Sequence, residues 1–283
     1  MTQPILSKYW NEAEGQGRGY ERPSTGERAP GVTTIIGLVN KDLAQWGSDM
    51  AVRWMTENWR AWNPGGKSDE RAFNHARYRW KDYRDLRGAV GDHVHNYIED
   101  TILGAGPFAD DLEPEEQRIV AQWEEFAFFT GVKFHSTEAT VWGDGYAGTL
   151  DAYGWMPSER LGRTALGVID WKTSARAWPD SFMQLAALKN AKFQFRQVDE
   201  GTPGASESKA RNSSTWWVEE PLPEGVETAW IVHLTEDSWA VHELSEEQLH
   251  LRRFMGYRDC WWAEKALKDT GIDLKKSLGS QGR

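Results

Sequence analysis

The chain has 283 residues, 43 of them acidic and 33 basic, for a formal charge of −10. That is too acidic for a protein that passively coats nucleic acid, yet it leaves room for a nucleic-acid enzyme whose basic surface is local. One cysteine, Cys260, excludes a disulfide framework, a cysteine-ligated zinc site and an iron–sulfur cluster held by this chain. The length supports one large domain or two smaller ones with a full core. No run of about 18 apolar residues suggests a membrane span. The opening MTQPILSKYW lacks a basic stretch followed by an apolar one, so no signal peptide is expected and the location is expected to be cytoplasmic.

Residues 1–30, rich in Gly, Glu, Arg and Pro, predict an extended arm. Residues 42–62 carry Leu43, Trp46, Met50, Trp54 and Trp62 mostly at helical spacing. The segment AWNPGGKSDE breaks that helix, and Ser68 or Asp69 would cap the next, over 70–84, which carries Arg71, Arg77, Arg79, Lys81 and Arg84. A second helix follows, striped by Leu86, Val90, Val94, Tyr97, Ile98 and Ile102, and a third runs from Pro114 to residue 130. Residues 132–142, 146–155 and 164–171 read as strands separated by glycine-containing turns. A helix beginning at Pro179 is expected to end near Phe195, and 197–225 to form a long polar loop. Strands at 228–234 and 239–242, a helix over 245–268 and a polar tail complete the chain. This order predicts an α/β core with a helical N-terminal part. The divisions expected are an N-terminal arm and helical part over 1–85, a core over 86–245 and a C-terminal helix and tail over 246–283. Seventeen tryptophans are many for this length; packing accounts for most of them, and stacking on bases or sugars is the sharper alternative.

Chemistry concentrates in GYAGTLDAYG and GVIDWKTS. Asp151 sits in a predicted strand after a small-residue turn, and Asp170 and Lys172 are two apart at the end of an apolar strand, so they project to one face. Two carboxylates suit a hard divalent ion such as Mg²⁺, and a neighbouring ammonium can orient an attacking water. Taken alone, Asp170 and Lys172 also describe a surface ion pair at a strand end. In RGAVGDHVHNYIE, His95 follows Gly91 by four residues on one helical face; the glycine leaves room for another segment, and the imidazole could complete a metal site, more readily for Mn²⁺. His93 lies about 200° round the same helix and cannot face the same ion. Gln184 interrupts the apolar face of Met183, Leu185, Ala187 and Leu188, either as a helix-edge amide or as a hand on phosphate or water.

Together, Gly91 with His95, the GTLD of 148–151, the IDWKTS of 169–174 and Gln184–Leu185 resemble the PD-(D/E)XK nuclease superfamily, and within it the RecB-type branch of phage and CRISPR-associated exonucleases. The resemblance covers about residues 86–195 and lacks the iron–sulfur cysteines of many members. It implies a restriction-endonuclease-like α-β-β-β-α-β core, a mixed central sheet flanked by helices. It implies that His95, Asp151, Asp170 and the main-chain carbonyl of Trp171 hold Mg²⁺ or Mn²⁺, that Lys172 is the catalytic lysine, and that Gln184 positions water or phosphate. Glu138 stands where many members have a glutamate. Thr173, Ser174, Arg77 and Arg84 are candidate substrate contacts. The implied activity is metal-dependent exonucleolytic hydrolysis of DNA in recombination, repair or phage DNA metabolism, with DNA, a single-strand annealing or recombination protein and an oligomeric assembly as expected partners, and no membrane.

NPGGKS lacks the first glycine of a Walker A loop and a preceding apolar strand, so no ATP site is expected. The basic run over 71–84 fits either phosphate contacts or a solvated face laced with Asp69, Glu70, Asp82 and Asp85. Alternatives to the exonuclease are a structure-specific endonuclease of the same fold, a catalytically inactive DNA-binding module, and a tryptophan-rich carbohydrate-binding protein, which leaves IDWKTS unexplained.

Overall fold

The structure, a computed structural model, describes residues 7–10, 17–39, 44–62, 70–105, 112–174, 178–210 and 213–270. The expected caps at Ser68 and Asp69, the NPGGKS turn, the start of the helix at 42 and the C-terminal tail lie outside these residues. Residues 1–30 are not a plain arm: β1 (Ser7–Trp10), β2 (Gly17–Glu21) and β3 (Arg28–Pro30) pair antiparallel as a small sheet. Tyr20 and Ala29 are buried there against Trp142, Phe195 and Trp217. That long-range cover, rather than local periodicity, orders the segment. A short helix α1 (Val32–Ile36) follows, then α2 (Ala44–Trp62) and α3 (Glu70–Ile102).

The two helices expected between 70 and 102 are one continuous helix of 33 residues. Its buried positions, Ala72 and Ala76 early and Val90, Val94 and Ile98 late, stay in phase because the 18 residues from Ala72 to Val90 make about five turns. The change from arginine-rich to apolar sequence therefore marks a change of neighbour, from α2 to the core, and not a break. α4 (Pro114–Thr130) matches its expected span, with Pro114 in its first turn, a Glu113–Glu116 capping box and Gly131 closing it at φ 62°.

The main sheet holds eight strands. β4 (Lys133–Trp142), β5 (Ala147–Ser158) and β6 (Arg163–Lys172) form an antiparallel meander. α5 (Pro179–Lys189) follows; it stops short of Phe195, which lies instead in β7 (Phe193–Val198). The stretch expected as a loop is β-structured: β7 pairs with β9 (Ser213–Glu220), and β9 with the edge strand β8 (Ser206–Ala210). Strands at the rim of a sheet need no regular apolar alternation, which is why serine and glutamate masked them. β10 (Val226–Leu234) returns beside β6 and parallel to it, β11 (Trp239–Glu243) folds back on β10, and α6 (Glu247–Asp269) closes the chain. The spatial order is β11-β10-β6-β5-β4-β7-β9-β8.

This is an α/β protein whose large mixed sheet is covered on both faces. α1, α5 and α6 cover Leu150, Tyr153, Leu166, Val168, Ala229 and Ile231. α3 and α4 cover Ala152, Ile169, Trp171, Trp230 and Val232. Burial on both sides explains the unbroken apolar run of β6. Seven tryptophans of the described residues are buried (54, 123, 142, 171, 217, 230 and 261), in line with a packing role for many of them. Among the described residues no helix is long and apolar enough to cross a membrane.

Candidate active site

Asp170 and Lys172 follow Leu166 and Val168 along β6 and share their side, the one that faces α5. Asp170 is only 1% exposed, so it is not half of a surface ion pair. Gln184 Nε2 of α5 donates to Asp170 Oδ1 at 3.1 Å. Asp170 Oδ2 faces the Lys172 ammonium at 2.5 Å but makes no hydrogen bond of ordinary geometry. Burial pushes the Asp170 carboxyl up to about 6, with Asp151 adding to the rise and Lys172 and His95 opposing it. Desolvation pulls the Lys172 ammonium down, but the charges of Asp170 and Asp151 outweigh it and hold the group above the usual lysine value. Lys172 is therefore a cation at neutral pH, with 24% of its side chain still exposed.

Asp151 reaches the same place by a different route. On β5, Gly148 and Leu150 face α5, whereas beyond Asp151 it is Tyr153 that faces α5 and Ala152 and Met156 that face α3 and α4. The strand thus changes phase at Asp151. Its neighbour in the antiparallel register, flanked by the pairs Thr137–Ala152 and Ala139–Leu150, is Glu138, and Glu138 has φ 49°. A non-glycine residue in the left-handed region costs on the order of 1 kcal/mol or more, and such strain gathers at functional sites. The β5–β6 ladder stops at Ala152–Ile169. Past that point the Trp171 N–H donates to Asp151 Oδ2 at 2.7 Å, so the carboxylate replaces a ladder partner and is held toward β6. The Trp171 ring itself is buried between Phe126 and Phe134.

His95 approaches from α3 with Nδ1 3.7 Å from Asp151 Oδ2 and 30% of its side chain exposed. His93 points elsewhere, its Nδ1 2.8 Å from Glu116 Oε1, as the helical spacing requires. A Cβ on Gly91 would stand 3.2 Å from Thr173 Oγ1, so the glycine does admit the chain leaving β6. Two residues that sequence reasoning did not single out hold that chain. Arg87 Nη2 donates to the Thr173 carbonyl at 3.1 Å and also pairs with Glu115. His233 Nε2 donates to the Ser174 carbonyl at 2.5 Å, from the β10 position level with Lys172. A histidine after the apolar run WIV was the available signal for His233; the parallel pairing that gives it meaning was not visible in the sequence.

The structure thus brings His95, Asp151, Asp170, Lys172, Gln184 and Thr173 together, with Glu138 opposite Asp151. Arg77 and Arg84 do not join them, since they lie 18 and 11 residues before His95, or roughly 27 and 16 Å along the helix. Among the described residues no three His, Cys, Asp or Glu side chains form a ready-made metal cage. The donor set is nevertheless of the right chemistry for a hard divalent ion: two carboxylates and an imidazole, with one buried carboxylate oxygen lacking an ordinary hydrogen bond. No protein-family model matches the chain, and no curated protein is significantly similar to it in sequence.

Proposed function

We propose that this chain is a divalent-metal-dependent DNA exonuclease of the PD-(D/E)XK kind, acting in recombination, repair or phage DNA metabolism. The observation that carries this is the convergence of Asp170 and Lys172, on one face of a buried strand end, with Asp151 at the phase break of the adjacent strand. Burying a carboxylate is costly even when, like Asp170, it is paired with a cation, and a strained partner strand adds to the cost, so the arrangement is best explained by function. The run α4-β4-β5-β6-α5 with β10 parallel to β6 supports the restriction-endonuclease-like core implied by the sequence motifs.

His95, Asp151, Asp170 and the Trp171 carbonyl would hold Mg²⁺ or Mn²⁺, whose chemistry when bound is to polarise the scissile phosphate and acidify water. Asp151 is kept in place by the Trp171 N–H, and Asp170 by the Gln184 amide. Lys172 holds its proton, so it acts as a fixed positive charge that aims the attacking water and offsets charge building on the phosphate. Thr173 and Ser174, fixed by Arg87 and His233, border the space where the strand would lie.

Wild type, Asp151→Asn and Lys172→Ala, each checked for folding by thermal melting, are assayed on end-labelled linear DNA and on closed circular DNA with Mg²⁺ or Mn²⁺. The expected result is cleavage of the linear substrate, lowered by about 10²–10⁴-fold in either variant. Cutting of the circle would reassign the activity as endonucleolytic. Full activity in folded variants, or DNA that is bound and never cut with any metal, would overturn the proposal.

A further inference from the structure

Phe73, Arg77, Arg84, Gly88, Gly91 and His95 lie along one face of α3. At about 100° per residue they fall within roughly 60° of one another, and Arg77, Arg84 and His95 are separated by close to whole turns. Lys81 flanks the same line. Among the described residues α2 packs through Trp46 against Trp80 and Tyr83 and through Trp54 against His75, beside the line rather than over its cations. Arg77, Lys81 and Arg84 are all exposed. Neither Arg77 nor Lys81 forms an ion pair with any described residue; both sit over the Tyr78 ring, at 5.9 and 4.9 Å. Arg84 lies over Trp80 and pairs only with its exposed neighbour Asp85, a contact that phosphate can replace at little cost. Six cations face three carboxylates between residues 70 and 87, on a chain whose formal charge is −10. Tyr78, 46% exposed, stands beside these cations.

We infer that this face of α3 is a rail for a single DNA strand leading to the scissile phosphate, with Arg84, Lys81 and Arg77 on phosphates about five, six and eight nucleotides from it and the exposed Tyr78 ring, beside Arg77 and Lys81, against an unpaired base. The occupant is an anionic polymer with flat apolar faces, because exposed cations follow one another along the line and the exposed Tyr78 ring lies beside two of them. Gly88, with nothing within 4 Å of where its Cβ would stand, leaves the rail bare between Arg84 and the site. Its length sets a footprint: at about 3.4 Å per stacked nucleotide, Arg84 lies some five nucleotides from His95 and Arg77 some eight.

This deepens the proposed function and rests on it, so the experiment separates the two. Affinity of the full chain for fluorescein-labelled oligo-dT of 4 to 16 nucleotides is measured by anisotropy in EDTA, where cleavage cannot contribute. Kd should fall with length up to about eight nucleotides and then level off. Three phosphate contacts give a slope of log K against log salt near −2, and Arg77→Ala, Lys81→Ala and Arg84→Ala should each remove about 0.7 of it. Lys268→Ala, at an exposed lysine on α6, should leave both slope and length dependence as they are. An affinity independent of length, or a salt slope unchanged in all three rail variants, overturns the rail whether or not the chain cuts DNA. Length-dependent binding without cleavage would keep the rail and remove the nuclease.

Discussion

Gly91 shows how a single missing side chain serves the site. Thr173 approaches to where a Cβ would stand 3.2 Å away, and Arg87 fixes the same turn from one helical turn earlier. Gly91→Val should therefore push residues 173–174 away from α3 and lower kcat/KM on linear DNA by about tenfold or more, which corresponds to roughly 1.4 kcal/mol of transition-state stabilisation. Its melting temperature should change little, because the glycine sits outside the packed stripe of Val90, Val94 and Ile98. An unchanged kcat/KM would show that this approach is incidental. At this scale much was legible in the sequence. The two-residue spacing of Asp170 and Lys172 put them on one face, and the four-residue spacing of Gly91 and His95 did the same on a helix. What could not be read was how Asp151 joins them, because strict alternation fails at Asp151 and only the paired strand, with Glu138 at φ 49°, reveals the change of phase.

Among the elements, β6 and β10 form the parallel pair that underlies the site, and Gly167 makes room on β6 for the Trp230 ring and Thr228 backbone of β10. A Cβ there would meet the Trp230 ring at 2.4 Å and the Thr228 carbonyl oxygen at 2.6 Å. Because one of those neighbours is backbone, Gly167→Ala should destabilise by about 1–3 kcal/mol and lower the melting temperature by several degrees. A melt unchanged within one degree would mean that the strands shift to make room. Long elements with a sustained apolar pattern were readable in the sequence: β4, β5, β6, α4 and α6 lie within a few residues of their expected spans. β7 to β9 were not, since they pair with one another at the rim and gain their cover from the N-terminal strands. The continuity of α3 was hidden for a related reason, as its two halves bury themselves against different partners.

Across the molecule, the N-terminal sheet is fastened to the far side of the main sheet by a forked pair. Arg22 Nε and Nη2 donate to the two Glu219 oxygens at 2.8 and 2.5 Å, and Ser24 adds a third bond. The Arg22 hydrogen bonds, and then that of Ser24, outweigh burial and hold the Glu219 carboxyl below its ordinary 4.5. The sign follows from linkage. A depressed carboxyl contributes stability that is fully present above pH 4.5 and is lost as the pH falls through its folded value. Wild type should therefore lose more melting temperature than Glu219→Gln between pH 6 and pH 3.5, and equal losses would show that the fork contributes nothing to the whole.

α3 has one more consequence at this scale. An unbroken rod of 33 residues has no joint between its outer, arginine-bearing end and the imidazole near its other end. Whatever tilts or twists the outer end is inherited by His95 without attenuation, so a cargo seated far from the chemistry sets the aim of the ring that borders it.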